Sequence, residues 1–179
     1  MALRNILPDS DSSLQKKSRE VTDFGKRLHV LLDDMRETLI EANGLGLAAP
    51  QVGVLRRVAL IVDVSIDSES VEDQIVELVN PVIISSSGEQ TGTEGCLSVP
   101  GVYGIVTRPN VIEIRAQDRF GNEFTYGGEE LVARAISHEI DHLNGQMFTS
   151  LVERYLTEEE LEEMRKARED EVDDESEGE

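Results

Sequence analysis

Two histidines four residues apart, His138 and His142 in the stretch SHEIDHLNG, constrain this chain more than any other feature. On a helix such positions lie about 40° apart around the axis, so both imidazoles can reach one ion. Glu139 stands beside them, offset from the ligands and free to act on a bound water. The chain therefore needs a helix at 138–142, buried enough to hold a metal, and a third protein ligand from elsewhere. The preceding EELVARAI supplies the helix, with acids in its first turn and Gly145 as its stop.

The candidates for the third ligand are few. A zinc peptidase of the metzincin type would place a histidine six residues after His142, where this chain has Phe148. A thermolysin-like site would draw a downstream glutamate, and Glu158 to Glu163 lie at a suitable distance, but in an evenly acidic stretch that reads as a solvated face. His29, the third histidine, sits inside an amphipathic helix and reads as packing. Cys96, the single cysteine, lies in EGCLSVPG, a polar, glycine-flanked segment. As a ligand it would complete a Cys–His–His set with one position open for water; as an ordinary free cysteine it would be a small core residue.

The rest of the chain reads as one α+β domain. TDFGKRLHVLLDDMRETLIEANG has helical periodicity in Leu28, Leu31, Leu32, Met35 and Leu39, with Thr22 or Asp23 as N-cap and Asn43–Gly44 as the stop. VLRRVALIVDV reads as a strand, SIDSESVEDQ as an acidic loop, and IVELVNPVIISSS as a strand interrupted or ended near Pro81. GEQTGTEGCLSVPGVYG reads as a glycine-rich loop. VIEIRAQDRFGNEFTYGG alternates on both sides of a turn and reads as a hairpin. TEEELEEMRKARE reads as a last amphipathic helix capped by Thr157, and the final DEVDDESEGE as disordered. The expected architecture is antiparallel strands packed around a central metal-binding helix, with an N-terminal and a C-terminal helix. Residues 1–165 form a single catalytic domain, and 166–179 an acidic tail without fixed structure.

Composition excludes several classes of function. The net charge is −20, half of it on residues 157–179, which opposes docking on nucleic acid or an anionic membrane. No apolar run reaches the ~20 residues of a bilayer span. The N-terminus lacks the order of a secretory or transit peptide, and one cysteine fits a reducing compartment, so the expected location is the cytoplasm.

GLGLAAPQVG at 44–53 fits a dinucleotide fingerprint in letters only, because it follows a helix and leads toward a strand. Glycines at 44 and 46 instead suit a loop whose backbone approaches a ligand closely. Gln51 offers a neutral amide N–H donor.

GLGLAAPQVG, EGCLS at 94–98 and HEIDH at 138–142, in that order, resemble the peptide deformylase family, over residues 3 to about 155. The resemblance implies removal of the formyl group from the N-terminal N-formylmethionine of new polypeptides by a metal-bound hydroxide, with release of formate. It implies a metal on Cys96, His138 and His142, acid–base work by Glu139, and an oxyanion met by the amide of Gln51 and the backbone N–H of Leu97, with Gly46 also in the catalytic group. One divalent ion per chain is implied, Fe²⁺ in the cell, with Ni²⁺ or Co²⁺ as substitutes and Zn²⁺ as a poorer one. Leu45, Leu131, Ala135 and Glu94 are grouped around the substrate pocket. Glu94 is also expected to pair with Arg108 to hold the Cys96 loop, and Arg134 either to bind peptide backbone or to pair with a neighbour. The partners implied are formylmethionyl nascent peptides on a monomeric enzyme working near the ribosome; the acidic tail opposes docking on ribosomal RNA. A metallopeptidase is the rival reading, in which Cys96 would matter little.

Overall fold

Leu28, Leu31, Leu32, Met35 and Leu39 are all buried on one face of helix α1 (Lys26–Glu41) in the computed structural model, which describes residues 2–176. The N-cap is Gly25 rather than Thr22 or Asp23. The Asp23 carboxylate accepts the Gly25 N–H at 2.9 Å and so shapes the turn before the helix. Asn43, in the left-handed region at φ 50°, turns the chain out of α1, and Gly44 N–H closes back on Leu39 O.

The chain then forms β1 (Gly46–Ala48), β2 (Val58–Val62), a one-turn helix α2 (Val71–Gln74) inside the expected acidic loop, and β3 (Ile75–Ser87). After β4 (Gln90–Cys96) and β5 (Val99–Arg108) come β6 (Val111–Gln117) and β7 (Glu123–Glu129). Helix α3 (Leu131–Leu143), the short strand β8 (Arg154–Tyr155) and helix α4 (Glu158–Ser176) complete the described chain. Strands β1-β2-β3-β6-β7 make one antiparallel sheet, and β4-β5-β8 a second.

Strand β2 is buried along its whole length because the larger sheet is covered on both faces. Leu60 faces α1 in a core with Leu32, Met35, Leu39 and Leu47, while its neighbour Ile61 faces α3 in a core with Leu78, Ile112, Ile114, Val132 and Ile136. Strand β6 is covered on one face only and keeps the alternation that marked it in the sequence. Helix α3 is buried from Val132 to Ile140, which makes it the central element.

Two expectations change, and the alternative at Pro81 is decided. The glycine-rich stretch before and after Cys96 is the β4–β5 hairpin rather than a loop. Its glycines mark close approaches: a Cβ on Gly95 would lie 2.5 Å from the Tyr103 ring, and one on Gly104 2.6 Å from Val152. Of the two alternatives at Pro81, strand β3 is interrupted there rather than ended: its register with β6 slips between Val79 and Val82. The slip places the residue that cannot donate at a bulge, and Asn80, at φ 50°, bonds the backbone of Val21 through its side chain. Helix α4 runs on to Ser176, past the expected boundary at 165/166, since its Glu, Arg, Lys and Ala favour helix despite the charge. Residues 177–179 of the expected tail lie outside the described residues. Thr157 does cap α4 in a reciprocal box, its Oγ1 accepting Glu160 N–H and Glu160 accepting Thr157 N–H. Among the described residues no helix is long and apolar enough to cross a membrane.

Candidate metal centre

His138 and His142 stand one turn apart on α3, and their Nε2 atoms are 3.2 Å from one another. Cys96 closes β4 where the pairing with β5 shifts register, and its Sγ lies 3.3 Å from His142 Nε2. The three donor atoms all fall within 4.8 Å of each other. Bonds of about 2.0–2.3 Å to a tetrahedral ion would space such donors by roughly 3.3–3.6 Å. The residues therefore fit one metal ion, in a site walled by protein on three corners. His29 takes no part: its Nε2 meets Arg119 O at 2.8 Å and its ring packs edge-on against Phe120. Among the described residues Glu158 to Glu163 contribute nothing to this donor group, which removes the thermolysin-like alternative.

Glu94, buried on β4, orients the set. It accepts His138 Nδ1–H at 2.8 Å, Arg108 through Nε at 3.0 Å and Nη2 at 2.6 Å, and Arg134 Nη1 at 3.0 Å. A proton held on Nδ1 by a carboxylate leaves His138 Nε2 turned toward the ion. Arg108 also reaches Asp141 at 2.5 Å, and Arg134 reaches Val106 O at 3.0 Å. Arg134 is thus a paired structural cation. Glu94 lines the cavity beside these donors, and its four hydrogen bonds are all to protein. These bonds make it a positioning residue for His138, beside its expected place among the substrate-binding groups.

Glu139 is buried and its Oε2 has no hydrogen-bond partner among the described residues. Its carboxylate lies against Gly46, where a Cβ would come within 2.8 Å of its Cδ and 2.9 Å of its Cγ. Gly46 is therefore small because Glu139 occupies the space. Burial pushes the Glu139 carboxyl up to about 7 against the pull of His138. Burial and the neighbouring His138 hold His142 neutral, down to about 3. Burial also works against charge on His138, but Cys96 and Glu94 outweigh it and keep the metal-free ring protonated, at about 10.

Gln51 is fixed at both ends. Its Oε1 accepts Ala48 N–H at 2.9 Å, and its Nε2 donates to Ser98 Oγ at 3.1 Å and points at Cys96 Sγ, 3.5 Å away. Ser98, Asp141 and the rim residues Tyr103, Met164 and Arg168 are not foreseen from the sequence. Ser98 lies inside EGCLS and Asp141 inside HEIDH, so both were within reach of those motifs; Tyr103, Met164 and Arg168 carry no local signal.

A cavity of 530 Å³ opens beside these groups. Leu45, Leu97, Leu131 and Ala135 supply its apolar wall, and Gly46, Gln51, Cys96, His138 and Glu139 its floor. Leu45 and Leu131 remain 45% and 41% exposed, so apolar surface faces the opening. The cavity brings together His138, Cys96 and the predicted catalytic and pocket residues; His142 lies behind it, joined through Nε2.

The sequence model of the polypeptide deformylase family matches residues 3–157. A peptide deformylase of Caldicellulosiruptor bescii is 51% identical over 173 residues, covering 97% of this chain and 99% of the relative. Peptide deformylase 1 of Bacillus subtilis is 45% identical over 164 residues, covering 92% and 99%. Among solved structures, a peptide deformylase from Legionella pneumophila superposes with TM-score 0.77 at 38% identity, covering 93% of this chain and 98% of that one. A Met-Ala-Ser-bound class I type b peptide deformylase from Acinetobacter baumannii gives TM-score 0.77 at 30% identity, covering 84% and 99%. A Cys–His–His donor set, an unpartnered buried glutamate beside it and these relatives across nearly the whole length agree: this chain belongs to the polypeptide deformylase family.

Proposed function

We propose that this chain deformylates the N-terminal formylmethionine of nascent peptides, with Glu139 moving the proton and Gln51 and Leu97 meeting the oxyanion. The observation that carries the assignment of roles is Glu139 Oε2, a buried carboxylate oxygen beside the metal donors with no hydrogen-bond partner among the described residues. A bound divalent ion, held by Cys96, His138 and His142, supplies Lewis acidity that acidifies water and polarises the formyl oxygen. Fe²⁺ is the ion we assign in the cell, with Ni²⁺ and Co²⁺ as working substitutes and Zn²⁺ as a poorer one.

Glu139 takes a proton from the attacking water and returns it to the departing amine nitrogen, so the bond broken is the formamide C–N bond. The products are formate and a free methionine N-terminus. Gln51 Nε2–H and the Leu97 backbone N–H stabilise the negative charge on the former carbonyl oxygen. Leu45, Leu131 and Ala135 receive the apolar methionine side chain. The solved relative from Acinetobacter baumannii holds Met-Ala-Ser, the peptide that remains when formyl-Met-Ala-Ser loses its formyl group. We assign the enzyme to the cytosol as a monomer near the ribosome, without a docking role for the acidic helix α4.

Formate release from formyl-Met-Ala-Ser by protein loaded anaerobically with Fe²⁺ or Ni²⁺ tests this reading. Glu139→Ala should retain one metal per chain and lose about 10²- to 10⁴-fold in rate, the usual worth of a positioned acid–base group. No formate from protein holding one metal per chain would overturn it.

A further inference from the structure

The charged groups lining the cavity are Glu94, Arg134, His138, Glu139 and Arg168. Glu94 and Arg134 neutralise each other within the buried network, and His138 and Glu139 belong to the metal centre. Arg168 is different. It comes from α4, which passes the mouth and turns Met164 and Arg168, one helical turn apart, toward the opening.

Arg168 lies over an aromatic ring and, among the described residues, pairs with no carboxylate. Its guanidinium carbon sits 5.7 Å from the centroid of the Tyr103 ring. That ring in turn packs on Gly95, where a side chain would collide with it, next to the ligand Cys96. Stacking on an aromatic ring uses the face of a guanidinium and leaves its N–H edge open for a planar anion. Among the described residues no carboxylate forms a salt bridge with Arg168, whereas Lys166, on the same helix, pairs with Glu162 at 3.2 Å. A carboxylate-bearing ligand approaching a chain of net charge −20 meets repulsion nearly everywhere, and the rim carries the one unpaired cation that faces the cavity among the described residues.

We propose that Arg168 is a specificity-determining residue that receives a carboxylate of the substrate downstream of the formylmethionine, either an Asp or Glu side chain or the α-carboxylate of a short peptide. This rests on the deformylase reading above. Because the contact forms in the ground state and the transition state alike, it acts mainly on KM.

The test compares kcat/KM of the Ni²⁺-loaded full chain at low salt on four substrates. These are formyl-Met-Ala-Ser amide, formyl-Met-Ala-Glu amide, formyl-Met-Ala-Lys amide and formyl-Met-Ala-Ser with a free C-terminus. The acidic substrates should exceed the neutral amide by about three- to fivefold, the scale of a solvent-exposed ion pair, and the gap should shrink with added salt. A gain confined to the Glu amide assigns the side chain, and one confined to the free acid assigns the terminus. Arg168→Ala should bring the acidic-to-neutral ratio to one and Arg168→Glu should invert it. Lys166→Ala, the same charge change on the same helix, should keep the wild-type ratio. A ratio of one in the wild type, or an undiminished preference in Arg168→Ala, overturns the proposal while hydrolysis of the neutral amide leaves the deformylase reading standing. A metal-loaded chain that hydrolyses none of the four overturns both.

Discussion

Replacing Glu94 by glutamine removes a charge and almost nothing else, which makes its cost calculable from the contacts. Each carboxylate oxygen accepts two hydrogen bonds: Oε1 from Arg108 Nε and Arg134 Nη1, Oε2 from Arg108 Nη2 and His138 Nδ1. Whichever oxygen becomes an amide NH₂ then faces two donors, so two charge-assisted bonds are lost in either orientation. At about 1.5–3 kcal/mol each this gives a loss of roughly 3–6 kcal/mol. Linkage gives the same scale. The hydrogen bonds from His138 and Arg108, working against burial, hold the Glu94 carboxyl down at about 2, from an ordinary value of 4.5. At 1.36 kcal/mol per unit this corresponds to about 3 kcal/mol.

Denaturant unfolding of metal-free Glu94→Gln at pH 7 should therefore show a loss of about 3–5 kcal/mol, a large share of a typical domain's stability. The sign with pH follows from the depressed pKa. The contribution is fully present above about 4.5, where the carboxylate is charged in both states, and is lost as pH falls from there toward 2. Wild-type stability should fall steeply over that window, and the variant should lack this part of the slope. A loss under about 1 kcal/mol with an unaltered acid limb would refute the idea that Glu94 anchors the centre.

Three further outcomes follow from the same geometry. Cys96→Ala should leave far-UV circular dichroism intact and abolish stoichiometric metal by elemental assay, because two imidazoles alone make an incomplete site; full metal content would return the third-ligand question to the acids of α4. Gly46→Ala should keep the metal but cut formate release about 100-fold, since the new methyl group must push Glu139 off its position. Arg108→Ala should weaken metal retention about 10- to 100-fold in a chelator competition, through a Glu94 left to orient His138 with fewer constraints; unchanged retention would show that Arg134 alone suffices.

What could be read in advance was what repeats locally. His138, Glu139 and His142 share one helix, α1 carries a leucine stripe, and β6–β7 alternates around a turn, so short-range periodicity revealed all three. The β4–β5 hairpin was opaque for the opposite reason. Gly95 and Gly104 are there because Tyr103 and Val152 press on the backbone, and a contact of that kind leaves no period in the sequence. That β3 resumes after the interruption at Pro81, and that α4 continues to Ser176, were likewise decided by pairing and propensity, which composition concealed. In the site, the ligands and Glu139 stood in recognisable motifs. Ser98 and Asp141 stood inside the same motifs, but their bonds to Gln51 and Arg108 emerged only once distant segments met.

Glu94 and Glu139 show why identity of residue type says little about role. Both are buried glutamates beside His138. Glu94 is met by two guanidiniums and an imidazole N–H, which hold its carboxyl well below the usual carboxylate range, so it works as a fixed anionic support. Glu139 has a glycine for a neighbour and, among the described residues, an oxygen with no hydrogen-bond partner, so desolvation outweighs the pull of His138 and Arg108 and lifts it to about 7. A cation bound by Cys96, His138 and His142 would lower that value by favouring the charged form, leaving a carboxylate ready to take a proton yet able to hold one. Exchanging the two environments would disable both groups, because a pinned anion surrenders no proton and an unpaired carboxyl fixes no imidazole. The division between support and acid–base group thus lies in the placement of Arg108, Arg134 and Gly46, none of which needs to touch the substrate's reacting atoms.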